Sequence, residues 1–125
     1  MKVYIVTSEP FPNGMAATNR IKCYAWALIN QGIAVEILIF KRTEGGNLIL
    51  GNNKGIGVSE GIHYRYVSGT SIRSKNPFVW RVAEKVDHLK TILYLRHHLK
   101  KGDVVLFYCN QLEITLQIMR YTCLL

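Results

Sequence analysis

An α/β fold built on an open parallel sheet is predicted for this chain of 125 residues by three observations. Apolar runs without alternation occupy residues 2–7, 35–40 and 104–109, the pattern of strands covered on both faces. Helical apolar periodicity fills the intervals at residues 16–31 and 78–99. Strand, helix and strand follow one another so closely at the N-terminus that a right-handed crossover between parallel neighbours fits the span better than an antiparallel return.

The first strand, Lys2 to Thr7, is β-branched and aromatic throughout and belongs in the sheet interior. Pro10 and Pro12 then stiffen an extended exit, and Asn13 and Gly14 permit a turn into the helix. That helix carries Ile21, Tyr24, Leu28 and Ile29 on one stripe, and Gly32 supplies a residue that ends it. Residues 35–40 form a second buried strand interrupted only by Glu36.

Composition changes over residues 41–61, where Gly45, Gly46, Gly51, Gly55 and Gly57 surround the short apolar patch Leu48 to Leu50. This reads as a long Gly/Asn-rich loop or a small hairpin, a setting that often serves binding. Residues 62–67 alternate, with Ile62, Tyr64 and Tyr66 on one face and His63 and Arg65 on the other, which suits an edge strand. Pro77 opens a long helix over residues 78–99, packed on one face of the sheet, on which Val79, Val82, Val86, Leu89 and Leu93 recur at three- and four-residue steps; its outer face is expected to carry Arg81, Lys85, Lys90 and Arg96. Lys100 to Gly102 end it, residues 104–109 form a fourth strand, and helical character resumes over 111–125.

The expected strand order is 3-2-1-4 with helices on both faces, and residues 1–125 make one domain. That order leaves a fourth strand of central character at an edge, so the domain is expected to be incomplete on its C-terminal side and prone to self-association.

Composition narrows the functional classes. At 49% apolar the chain supports a core without disorder or disulfide staples. Cys23, Cys109 and Cys123 lack CxxC spacing and read as reduced thiols, and no apolar run approaches ~18 residues, so a cytoplasmic protein, peripheral at most on the inner membrane face, is expected. The net charge is +8, and the basic segment from Arg73 to Lys101 is opposed only by Glu84 and Asp87. Arg81, Lys85, Lys90 and Arg96 therefore suit anionic partners such as an acidic membrane surface.

Several chemistries lack their residues. The GxGxxG dinucleotide fingerprint is absent after the first strand, where Gly14 stands alone. Gly46 to Gly51 gives GxxxxG, but Asn52 and Asn53 occupy the positions where a P-loop needs Lys and Ser or Thr. None of His63, His88, His97 and His98 has a His or Cys at i+4, no serine sits in GxSxG, and no metal or bound cofactor is expected. Trp26 and Trp80 read as packing residues, and the basic-aromatic interleaving at residues 63–66 is explained by strand alternation.

One segment has positive chemical content. In SEPFPNGMAATNR, small Ala16 and Ala17 would let a ligand approach the exposed N–H groups of the first helical turn, as an anion-receiving loop requires; an ordinary strand-to-helix turn has the same composition.

The opening MKVYIVTSEPFPNGMAATNRIKCYAWALINQGIAVEILIF resembles the start of family 4 glycosyltransferases of the GT-B fold, through Pro12, Gly14, Ala25, Leu28, Gly32 and Val35, and more weakly through Asp103, Val104 and Val105. The resemblance implies a Rossmann-like N-terminal domain on the acceptor side of a two-domain enzyme that moves a sugar from a nucleotide-sugar donor to a glycan or lipid-linked acceptor. It would place Asn13, Gly14, Met15, Ala16 and Ala17 near the donor diphosphate and the stretch Tyr108 to Gln111 near the reacting groups, with Arg20, Tyr108 and Asn110 among the residues that bind donor or acceptor. The family often doubles the loop glycine, where Met15 stands here, and often has a histidine near the position of Tyr108. The C-terminal donor-binding half is missing from the chain, so the piece is expected to be inactive alone. A non-catalytic Rossmann-like module that binds polyanions, membrane or a partner protein is the alternative.

Overall fold

The computed structural model describes residues 1–45 and 51–122; the apolar patch Leu48 to Leu50, Gly46 and the terminal Cys123 to Leu125 lie outside the described residues. In chain order the elements are β1 (Lys2–Thr7), α1 (Ala16–Asn30), β2 (Ala34–Ile39), β3 (Ile56–Ser59), β4 (Ile62–Tyr66), α2 (Pro77–His98), β5 (Val104–Tyr108) and α3 (Leu112–Thr122).

The five strands make one mixed sheet in the order β3-β4-β2-β1-β5. β1 lies inside it, parallel to β2 through Val3 opposite Val35 and to β5 through Val3 opposite Val104. β4 is also parallel to β2, with Ile37 opposite Tyr64. The wholly parallel order 3-2-1-4 expected from the sequence is therefore corrected: β3 joins as an extra antiparallel strand, and β4 is not an edge. β3 arises within the glycine-rich segment and returns into β4 through Glu60 and Gly61, both at positive φ (52° and 79°), as a two-residue hairpin turn demands. Glutamate is a poor residue for that conformation, and α1 supplies its support. Lys22 pairs with the Glu60 carboxylate at 3.0 Å, and the Trp26 indole N–H donates to the Glu60 carbonyl at 3.2 Å.

Strand alternation divides the core in two. Val3, Ile5, Ile37 and Ile39 meet Ile21 and Ala25 of α1 on one face, whereas Tyr4, Val6 and Leu38 meet Ile92 and Leu95 of α2 and Ile118 of α3 on the other. α1 closes on Gly32 at φ 76°, whose N–H reaches the Ile29 carbonyl while that of Ile33 reaches Leu28, so the expected helix stop is a double hydrogen-bonded cap. Its stripe is corrected in one member: Tyr24 is exposed, and Thr18 and Ala25 are buried with Ile21.

The larger correction concerns α2. Its apolar stripe does not face the sheet; Asp87, Thr91, Ile92 and Leu95 do, and Val79, Val82, Val86, Leu89 and Leu93 are exposed. Asp87 can be buried because Arg42, leaving β2, meets it with two nitrogens, and Thr91 because its hydroxyl donates to the Asp87 carbonyl.

Glu36, an interruption in the sequence of β2, becomes a joint at the base of the sheet. Its nearly buried carboxylate accepts from Lys2 at 2.6 Å and from the Tyr94 hydroxyl at 3.0 Å, with Arg65 at 3.4 Å. Burial opposes ionisation, but the bonds from Lys2, Tyr94 and Arg65 prevail and hold the carboxyl below its ordinary value of 4.5. A lowered native pKa means stability that is present above the unfolded value and lost as pH falls through the native one. Glu36→Gln should accordingly cost about 1–3 kcal/mol at neutral pH, with the gap to the parent narrowing below about pH 4. Urea unfolding of both proteins at the two pH values checks it.

Candidate functional site

The site is built where β1 and β5 end beside the start of α1. β1 is the strand from which the sheet runs in opposite directions, to β2 on one side and β5 on the other, and ligands of open α/β sheets bind outside the carboxyl ends of strands at such a reversal. A groove of about 530 Å³ lies there, lined by Glu9, Ala16, Ala17, Arg20, Phe107, Tyr108, Cys109 and Asn110.

The loop between β1 and α1 is fixed from beneath. Thr7 Oγ1 accepts the Glu9 N–H at 3.0 Å, which sets the chain's direction as it leaves the strand. Phe11 is fully buried, its N–H donating to Tyr66 Oη at 3.1 Å and its carbonyl accepting from the same hydroxyl at 3.0 Å. Thr43 Oγ1 lies 2.8 Å from that oxygen, and burial pushes the Tyr66 phenol up, so it stays a neutral donor. Asn52, 1% exposed, grips Asn13 twice, accepting its N–H and donating to its carbonyl, both at 2.8 Å. Ser71 donates in turn to the Asn52 carbonyl. Thr18 reaches back from α1 to the Pro10 carbonyl at 2.7 Å.

Six of these side chains hold a loop whose own sequence is permissive, and the held loop delivers an open helix start. Met15 is the N-cap in extended conformation, and its side chain makes no capping hydrogen bond. Short Ala16 and Ala17 leave its N–H groups approachable, and Arg20 stands one turn further along. A positive helix end together with a guanidinium suits a phosphate or carboxylate, and Glu9 across the groove suits a hydroxyl donor.

Of the residues expected from sequence, Ala16, Ala17, Arg20, Tyr108 and Asn110 come together in this groove, whereas Asn13, Gly14 and Met15 do not line it. Asn13 is gripped by Asn52, Gly14 is packed against Thr18, and Met15 projects into solvent. Tyr108 also has a packing role, its ring 6.1 Å from that of Tyr24. Cys109, within the expected stretch Tyr108 to Gln111, lines it too, and Phe107 is an addition. Glu9 opens the loop that the sequence singles out, but only the pairing of β5 with β1 sets residues 107–109 opposite it.

Among the described residues no helix is long and apolar enough to cross a membrane, and no group of three or more His, Cys, Asp or Glu residues is placed to hold a metal. Comparison of the chain with protein-family models, with curated proteins and with solved structures gave no match in any of the three.

Proposed function

We propose that this chain is the acceptor-side, Rossmann-like part of a glycosyltransferase that uses a nucleotide-sugar donor, with the groove at the ends of β1 and β5 facing the donor diphosphate and the acceptor hydroxyl. The observation that carries the reading is the start of α1, where the N-cap Met15 offers no side-chain cap, lining one groove with Arg20 and Glu9 at the strand reversal. An anionic diphosphate fits the first pair, and a sugar or lipid-linked hydroxyl fits the carboxylate.

Most of the donor's contacts would come from a second domain. The outer edge of β5 supports this reading, because Val104 and Leu106, opposite Val3 and Ile5 on the α1 side of the sheet, stand half exposed. Large aliphatic side chains on an unpaired strand edge favour an added neighbour.

Titration of pyrophosphate and of uridine diphosphate into isotope-labelled chain tests the proposal. Saturable shifts are expected at the amides of Ala16, Ala17 and Arg20, with binding about fivefold or more weaker in Arg20→Ala. The chain alone should show no sugar transfer. Responses confined to other surfaces, or unaffected by Arg20→Ala, would leave a non-catalytic binding module as the better reading.

A further inference from the structure

The outward face of α2 is an apolar surface that the function above does not use. Val79, Val82, Val86, Leu89 and Leu93 are each between 43% and 56% exposed, and Phe78 at the start of the helix is 76% exposed. At 100° per residue the five aliphatic positions fall within an arc of about 80°, directly opposite the buried face of Asp87, Thr91 and Leu95, and they run for about 21 Å. A stripe of that length turned away from the core of its own domain calls for a cover.

The charges bordering the stripe identify the cover. Lys90 lies along one margin and Arg81, Lys85 and Arg96 along the other, all exposed. The two carboxylates of α2 are withdrawn from this arc: Asp87 is 1% exposed and bonded to Arg42, and the partly buried Glu84 lines the groove towards α3. Glu113 of α3 lines the same groove, which Leu89 and Leu93 of the stripe and Arg81, Lys85 and Arg96 of its margin share, so that three cations meet two carboxylates there. A second copy of this helix would set Lys85 and Lys90 against their own kind and would be repelled. An anionic lipid surface meets both requirements together, because aliphatic side chains enter the acyl boundary while flanking Lys and Arg stretch to the headgroups.

We propose that α2 is an in-plane membrane anchor that seats this domain on anionic bilayers through Val79, Val82, Val86, Leu89 and Leu93, with Arg81, Lys85, Lys90 and Arg96 bound to lipid phosphates. The proposal stands on the exposed stripe and its charges, and it holds whether or not the domain belongs to a transferase. Each element alone is weak: basic residues give only salt-sensitive adsorption, and a short apolar stripe gives marginal partitioning.

Co-sedimentation of the whole chain with vesicles of phosphatidylcholine alone, and of phosphatidylcholine with phosphatidylglycerol, tests it at low and high salt. Binding is expected on the anionic vesicles only, weakened by salt, and about tenfold or more weaker in Val86→Ser/Leu89→Ser, since each lost aliphatic contact is substantial. Both positions are exposed, so circular dichroism and thermal unfolding should match the parent. Should that variant misfold, Lys85→Gln/Lys90→Gln decides instead, with about fivefold expected per charge removed. Equal binding to both vesicle types, no binding to either, or anionic binding untouched by the serine pair would overturn the proposal. So would a parent dimer that the serine pair converts to monomer without any vesicle binding, which would make the stripe a protein interface.

Discussion

Arg42→Ala is expected to destabilise the domain by about 3–5 kcal/mol, lowering the midpoint of thermal unfolding by about 10–20 °C. The arginine holds Asp87 through Nε at 2.9 Å and Nη2 at 3.3 Å, and the aspartate side chain is only 2% exposed. Removing the cation leaves a carboxylate that must either stay charged in a dry place or take up a proton, and both cost free energy. The reciprocal change, Asp87→Ala, should cost less, because the Arg42 side chain is 22% exposed and water can reach it. A double replacement by apolar residues of similar volume, Arg42→Met with Asp87→Leu, should recover most of the loss, since an intact buried pair contributes little net stability. Thermal unfolding of the four proteins decides. An unchanged midpoint for Arg42→Ala would mean that solvent reaches Asp87 and that α2 is docked by its aliphatic contacts alone.

Gly14→Ala should be the most damaging small change in the candidate site, at about 1–3 kcal/mol. A Cβ at this position would fall 1.9 Å from Thr18 Oγ1, 2.8 Å from Thr18 Cβ and 2.9 Å from the Pro10 carbonyl oxygen. Thr18 cannot turn aside without giving up its bond to that carbonyl, and the carbonyl is backbone. The loop itself must therefore move, carrying the start of α1 with it. Thr18→Val separates the two effects, since it removes the bond while leaving Gly14 its space. Denaturant unfolding measures the first consequence, and loss of the pyrophosphate response at Ala16 and Ala17 measures the second. A Gly14→Ala protein with parental stability and parental response would show that the loop is not held as tightly as its bonds to Tyr66, Asn52 and Thr18 imply.

Much of the site was legible because it depends on order along the chain. A strand ending at Thr7, a Pro/Asn/Gly loop and a helix opening with two alanines place Ala16, Ala17 and Arg20 at the carboxyl end of a central strand, whatever the rest of the chain does. The props of that loop were not legible. Tyr66 is 55 positions from Phe11, Asn52 is 39 from Asn13 and Ser71 is 19 from Asn52, and no local rule couples them to the loop. Glu9 and Cys109 likewise become neighbours of one ligand-sized space only once β5 pairs with β1. The hairpin strand β3 escaped for a different reason: Glu60-Gly61 is a weak turn sequence, and it works here because Lys22 and Trp26 of α1 hold it.

By itself the sequence determined the α/β class, the central place of β1, its parallel pairing with β2, and the position of the candidate site after the first strand. These follow from apolar runs, helix stops and crossover handedness, which are local or chiral properties. Tertiary structure decided which side of α2 is inside. Periodicity reports that a helix has an apolar stripe, but the side that turns inward is the one whose total contacts are best, and here Ile92 and Leu95 with the Arg42–Asp87 pair fit the sheet better than the valine-rich stripe does.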